Sequence, residues 1–281
     1  MPYVQEVCVA GKTIEVSKYY SIRYHAPAAK RSENVSESTE KQKELNNKRA
    51  EKELRLLMNT NFQDGDLLVR LDFYKNPPKD SIEMQEMTAK AIRKMRREFK
   101  KAGLEMKYIY VKEVGPRGSR HIHMMLSKCD TDLLTKCWPY GGVHIDPLNT
   151  DGQYRKVAAY FIKYEERTEA TEGERIGKRW YGSRNLEKPK IKKKVITAGR
   201  FRRVPMPLEG YYLDKETEVY GISEETGFEF YRYTLIRLPG KGGSGGSKDI
   251  HSTNHQRTGP PKRTRDVSAG SKNGTRTGHT E

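Results

Sequence analysis

Two histidines separated by one residue stand in the run Arg120-His121-Ile122-His123-Met124-Met125. In an extended strand alternate side chains share a face, so His121 and His123 point the same way and Ile122 points into the opposite layer. Imidazoles about 7 Å apart along a strand can hold one cation when a neighbour supplies a third ligand. Residues 107–113 and 120–126 read as a hairpin turned through Val114-Gly115-Pro116-Arg117-Gly118-Ser119, and antiparallel pairing sets Glu113 opposite or diagonal to His121. Two neutral imidazoles and a carboxylate leave positions open for a phosphate oxygen, which suits Mg²⁺ or Mn²⁺ acting as a Lewis acid. His-x-His alone more often marks an edge strand with two surface histidines. The pairing with Glu113 and the apolar Ile122, Met124 and Leu126 favour the metal.

A second constellation is Tyr160-Phe161-Ile162-Lys163-Tyr164, preceded by Val157-Ala158-Ala159. On a helix, residues three and four apart are neighbours, so Tyr160, Lys163 and Tyr164 cluster. An ammonium beside a phenol favours phenolate character and offsets charge developing on an attacked phosphorus. Taken alone, Y-x-x-K is more often an amphipathic helix whose tyrosine hydroxyls reach water.

The elements that position these residues are legible from periodicity. Residues 67–73 form a strand with Leu67, Val69, Leu71 and Phe73 on one face. Asp80 or Ser81 caps a helix whose apolar residues Met84, Met87, Ala91, Met95, Phe99 and Ala102 recur at helical spacing, and Gly103 ends it. After the His hairpin come a short helix from Asp130 or Thr131 to Trp138, a strand over 142–145, and a helix over 153–168. This order predicts an α+β, ferredoxin-like (split βαβ) antiparallel sheet with helices on one face. Upstream, Val4 to Val16 reads as a hairpin turned at Gly11, and 29–60 as a polar, solvent-facing helix or arm with few core anchors. Downstream, 187–203 reads as a basic stretch and 211–238 as aromatic-rich strands, followed by a disordered basic tail. The expected organisation is therefore 1–62 hairpin and arm, 63–186 catalytic domain, 187–240 accessory region, and 241–281 tail.

Together, the His-x-His strand, the acidic partner strand and the later Y-x-x-K helix resemble the HUH-endonuclease superfamily, specifically rolling-circle replication initiator (Rep) proteins of phages, plasmids and integrative mobile elements. Residues 67–73 stand where those proteins carry their first motif, 120–126 match the second, and 159–164 the third. Arg179-Trp180-Tyr181-Gly182-Ser183-Arg184-Asn185-Leu186 is similar to a downstream segment of such initiators. The resemblance implies metal-assisted transesterification. His121, His123 and Glu113 would hold Mg²⁺ or Mn²⁺ at the scissile phosphate of single-stranded origin DNA. Tyr160 would attack, leaving a 5′-phosphotyrosine and a free 3′-OH, with Lys163 on the phosphate and Tyr164 as a second nucleophile or a structural neighbour. Arg117, Arg120, Lys190, Lys192, Lys193, Lys194, Arg200, Arg202 and Arg203 are the candidate DNA contacts. The glycines of 240–248 do not form a phosphate-binding loop, so a host helicase and replication machinery are the expected partners, in a host bacterial cytoplasm.

The 281-residue composition agrees with a polyanionic partner: 54 Lys+Arg against 37 Asp+Glu give a net charge of +17, and segments 82–102, 187–203 and 241–281 carry +16 of it. No apolar run approaches the ~18–20 residues of a membrane span. Met1-Pro2-Tyr3-Val4 opens no secretory signal, and three cysteines without C-x-x-C spacing argue against a disulfide scaffold. Cys129, Cys137 and His144 fit no standard zinc spacing, Asp72 and Arg70 read as surface charges, and Trp138 reads as a core anchor. Two rivals stand beside the initiator: a relaxase or single-tyrosine transposase with the same chemistry, and a non-catalytic nucleic-acid-binding sheet using Tyr108 and Tyr110. Whether Tyr160 and the histidines meet on one side of the sheet separates enzyme from binding module.

Overall fold

The computed structural model describes residues 2–22, 24, 39–149, 152–173 and 177–239. The expected tail 241–281 and the start of the expected polar arm lie outside the described residues. The order of elements is β1 (Tyr3–Ala10), β2 (Thr13–Tyr20), α1 (Glu40–Asn61), β3 (Leu67–Asp72), α2 (Ser81–Lys101), β4 (Tyr108–Val114), β5 (Arg120–Leu126), α3 (Thr131–Cys137), β6 (Val143–Pro147), α4 (Arg155–Glu172), β7 (Tyr181–Gly182), β8 (Lys190–Ile196), β9 (Tyr211–Ile222) and β10 (Glu229–Arg237).

The central sheet runs β6-β3-β5-β4-β7, every pair antiparallel. Strands β3 to β6 thus follow the split βαβ arrangement. Alternation in β3 and β5 divides the sheet cleanly. Leu67, Val69, Leu71, Ile122, Met124 and Leu126 pack with Met84, Met95 and Phe99 of α2 and Leu134 and Cys137 of α3. Asp80 caps α2 by accepting from the backbone N–H groups of Ile82 and Glu83.

Helices cover both faces rather than one. On the second face Ile109, Val111 and Met125 pack with Phe161 and Ile162 of α4 and Leu54 and Met58 of α1. The apolar positions of α4 recur at helical spacing and need their own cover, which β4 and β5 supply from the side away from α2. The C-terminal end of α4 is pinned to β4, where Thr168 Oγ1 donates to the Lys112 carbonyl at 3.1 Å and accepts from the Val114 N–H at 2.9 Å.

The second sheet runs β8-β1-β2-β10-β9. The N-terminal hairpin and the downstream strands, at opposite ends of the chain, lie in one sheet. The basic stretch is in part edge strand β8, paired with β1 from Val9↔Lys190 to Tyr3↔Ile196. Helix α1 is better anchored than its polar composition suggests. Its first half is exposed, but Leu54, Leu56 and Met58 are buried, with Leu56 against Cys8 and Ala10 of β1. Its buried polar residues have partners on the second sheet: Arg55 Nη2 lies 2.7 Å from Glu15 Oε1, and Asn59 Nδ2 donates to Thr13 Oγ1 at 3.0 Å. Gly11 turns the hairpin at φ 57°, and a Cβ there would stand 1.9 Å from the Asn59 carbonyl oxygen, so the turn admits only glycine.

Candidate active site

The polar part of the α4-side sheet face is built by register. Asp72 of β3 is the partner of His121 on β5, and His121 is the partner of Glu113 on β4; two residues along, Arg70 faces His123. Alternation places Asp72, His121, Glu113, Arg70 and His123 on the same face. His121 donates from Nδ1 to Asp72 Oδ1 at 2.8 Å, and His144 of β6 donates from Nε2 to Asp72 Oδ2 at 2.9 Å. Arg70 Nε adds a third contact to Asp72 at 3.0 Å. Glu113 reaches diagonally: it accepts from His123 Nε2 at 2.7 Å and from Arg167 Nη1 of α4 at 3.0 Å. With Nδ1 engaged by Asp72, Nε2 is the ring nitrogen of His121 left to serve as a ligand atom.

Both carboxylates are ionised in this setting. Burial by itself raises the Asp72 pKa, but the hydrogen bond from His121 and the Arg70 guanidinium outweigh it, and the net shift is downward. Glu113 behaves alike: burial raises it, while His123 and Arg167 bring it below the usual carboxylate value. Gly141 makes room for this cluster, since a Cβ there would lie 2.1 Å from the Asp72 carbonyl oxygen. Trp138 is a core anchor and ties the same carbonyl through Nε1 at 3.0 Å.

Helix α4 lays its tyrosines over this row. The Tyr164 ring stacks on His123, with centroids 3.9 Å apart and planes 15° from parallel, and the Arg167 guanidinium lies 5.8 Å from the Tyr164 centroid. Tyr160, one turn earlier, has its ring 6.4 Å from that of Tyr164 and is 55% exposed. Burial and the nearby Glu113 charge push the Tyr164 phenol above its ordinary pKa. Tyrosines and histidines therefore meet on one side of the sheet.

Two imidazoles and two carboxylates on one sheet face are a suitable donor set for a hard divalent cation. As they stand, each histidine is paired with a carboxylate, and among the described residues no three His, Cys, Asp or Glu side chains form a ready metal cluster. The donors fit the ion; the His123–Glu113 hydrogen bond must open for those two to share it.

The other expected site residues fall in different places. Lys163 is exposed on α4, and Arg117 is exposed in the β4–β5 turn. Arg120 is 12% exposed, bound to Glu172 at 2.8 Å and to the Lys79 carbonyl at 3.0 Å, which makes it a tie between β5 and the end of α4. Lys190, Lys192 and Lys194 are exposed on edge strand β8, where Lys193 pairs with Glu6 at 3.1 Å. Arg200, Arg202 and Arg203 follow β8 and are exposed; the Lys18 ammonium donates to the Arg202 carbonyl, and the Arg203 guanidinium lies 4.1 Å from the Tyr220 centroid. These two basic groups belong to the second sheet, not to the histidine face.

The residues that sequence reasoning missed are Asp72, His144 and Arg167. Asp72 was legible in principle: the split βαβ order puts β3 beside β5, and alternation puts Asp72 on the face of the histidines. Cys129 and Cys137 pack on the α2–α3 side while His144 serves Asp72, so the three do not form a site. Burial pushes the Cys129 thiol up to about 11. Tyr108 and Tyr110 are buried on the α2 side, which removes the exposed aromatic platform that a non-catalytic binding sheet would need.

Among the described residues no helix is long and apolar enough to cross a membrane. No curated protein and no solved structure matches the chain. Residues 70–169, from Arg70 beside the histidines to the last turn of the tyrosine helix, match the model of the replication-associated protein ORF2/G2P family. The match covers about a third of the chain, and over those residues the chain is similar to that replication-associated family.

Proposed function

We propose that this protein is a rolling-circle replication initiator that nicks and joins single-stranded DNA at an origin through Tyr160. The observation that carries the reading is the meeting of the tyrosine helix with the histidine face, made by Tyr164 stacked on His123. Tyr160 is the nucleophile because it is solvent-accessible, whereas the Tyr164 phenol is held against His123 and its ionisation is opposed by burial and Glu113. Tyr160 Oη attacks the phosphorus, the bond from phosphorus to the 3′-oxygen breaks, and the 5′ side remains on the protein as a phosphotyrosine. The proton lost by Tyr160 balances the one gained by the 3′-oxygen. The reverse attack by a 3′-OH restores the tyrosine and joins the strand, so no nucleotide triphosphate is consumed.

His121, His123 and Glu113 would hold the divalent cation, with Asp72 fixing the tautomer of His121 from behind. A bound Mg²⁺ or Mn²⁺ would supply Lewis-acid polarisation of the phosphate. Lys163, one turn from Tyr160, would meet the non-bridging phosphate oxygens. Arg167 locks Glu113 and stays beside the Tyr164 ring. The exposed lysines of β8 would add salt-sensitive, sequence-independent DNA affinity. Unwinding would come from a host helicase in the bacterial cytoplasm.

Incubation with a randomised single-stranded DNA library and Mn²⁺, resolved on a denaturing gel, is expected to give a covalent protein–DNA band that EDTA abolishes. A band that survives in both Tyr160→Phe and Tyr164→Phe chains, or cleavage with no covalent band, would overturn the reading.

A further inference from the structure

A cavity of about 530 Å³ lies at the β4–β7 edge of the central sheet and shares no residue with the proposed catalytic set. Its aromatic wall is Tyr108, Tyr110, Trp180 and Tyr181. The Tyr110 and Tyr181 rings stack with centroids 5.0 Å apart and planes 12° from parallel, and Tyr108 continues the stack at 6.1 Å. Three cations, Arg93 and Arg96 of α2 and Lys178, stand around it, and no carboxylate lines it. Arg93 and Arg96 are exposed, on the helix whose outward face also presents Lys90, Lys94, Arg97, Lys100 and Lys101. That basic surface faces away from α4, so it is not accounted for by DNA lying on the tyrosine side.

Tyr108 and Tyr110 are buried within this ring stack, while Trp180 and Tyr181 are half-buried and border the opening. A planar base would stack on Trp180 and Tyr181 while its phosphate meets the exposed Arg93 and Arg96.

We propose that this cavity is a second nucleotide-binding site, taking a base and its phosphate from a single strand or as a free nucleotide. It does not depend on the nicking chemistry, and its test runs without that chemistry. The full chain is photocrosslinked in EDTA to a short oligo(dT) carrying 5-iododeoxyuridine, with and without excess dTMP, and the linked peptides are mapped by mass spectrometry. The expected crosslinks fall on Trp180 or Tyr181. Loss of these crosslinks in excess dTMP assigns a free nucleotide as a sufficient ligand, and their persistence assigns the strand. The exposed double variant Arg93→Ala/Arg96→Ala should weaken oligo(dT) binding at least about fivefold, as loss of two phosphate contacts requires. Crosslinks only outside the cavity, or unchanged affinity in the folded double variant, would overturn the proposal.

Discussion

The His123 imidazole lies flat against the Tyr164 phenol, 3.9 Å between centroids, and this contact fixes the tyrosine helix over the histidine strand. The two tyrosines should therefore respond differently to substitution. Tyr164→Phe keeps the ring and should retain covalent adduct formation, whereas Tyr160→Phe should lose it. Tyr164→Ala should lower stability by about 0.5–1.5 kcal/mol for the lost ring pair, beyond its area term. Denaturing gels and thermal melts of the three variants read these outcomes separately.

Asp72 acts on His121 through a carboxylate–imidazole hydrogen bond, as outer ligands do in metal sites generally. Asp72→Asn should raise the Mn²⁺ concentration giving half-maximal adduct by about 10–100-fold, with excess Mn²⁺ restoring the signal. An unchanged Mn²⁺ dependence in a folded Asp72→Asn chain would show that Asp72 does not serve the ion.

The pH dependence of stability follows from the same carboxylates. Asp72 and Glu113 have pKa values held below the usual carboxylate values in the folded chain. Their contribution is full above those values and is lost as pH falls through the lower folded ones. The melting temperature should fall in that acid range, and less steeply for Asp72→Asn. A parallel fall in wild type and variant would assign the acid sensitivity elsewhere.

The Arg55–Glu15 pair is the main polar tie between α1 and the second sheet, both side chains about nine-tenths buried. Arg55→Ala leaves a buried carboxylate uncompensated and should cost about 3–5 kcal/mol, read by urea unfolding. The double variant Arg55→Met/Glu15→Gln should recover part of that loss.

The central sheet was readable because its signals are local. Alternation marks β3 and β5, Asp80 and Gly103 bracket α2, and His-x-His and Y-x-x-K each lie within a few residues. What escaped depends on pairings distant in the chain. Asp72 becomes a partner of His121 only when β3 lies beside β5. The basic stretch becomes a strand only because β1, nearly two hundred residues earlier, offers its edge. Helix α1 looked polar because Arg55 and Asn59 have buried partners that its own sequence does not show. The face that α4 covers was likewise not set by its periodicity, which says that one side is apolar but not which sheet face receives it.

The central claim is that Tyr160 takes the phosphate. Trypsin cleaves after Lys156, Lys163 and Arg167, so Tyr160 and Tyr164 fall on different peptides. The measurement is mass spectrometry of the nuclease-trimmed, trypsin-digested covalent adduct formed with single-stranded DNA and Mn²⁺. The account predicts a nucleotide phosphate on the Val157–Lys163 peptide, and the modification on the Tyr164 peptide alone would contradict it.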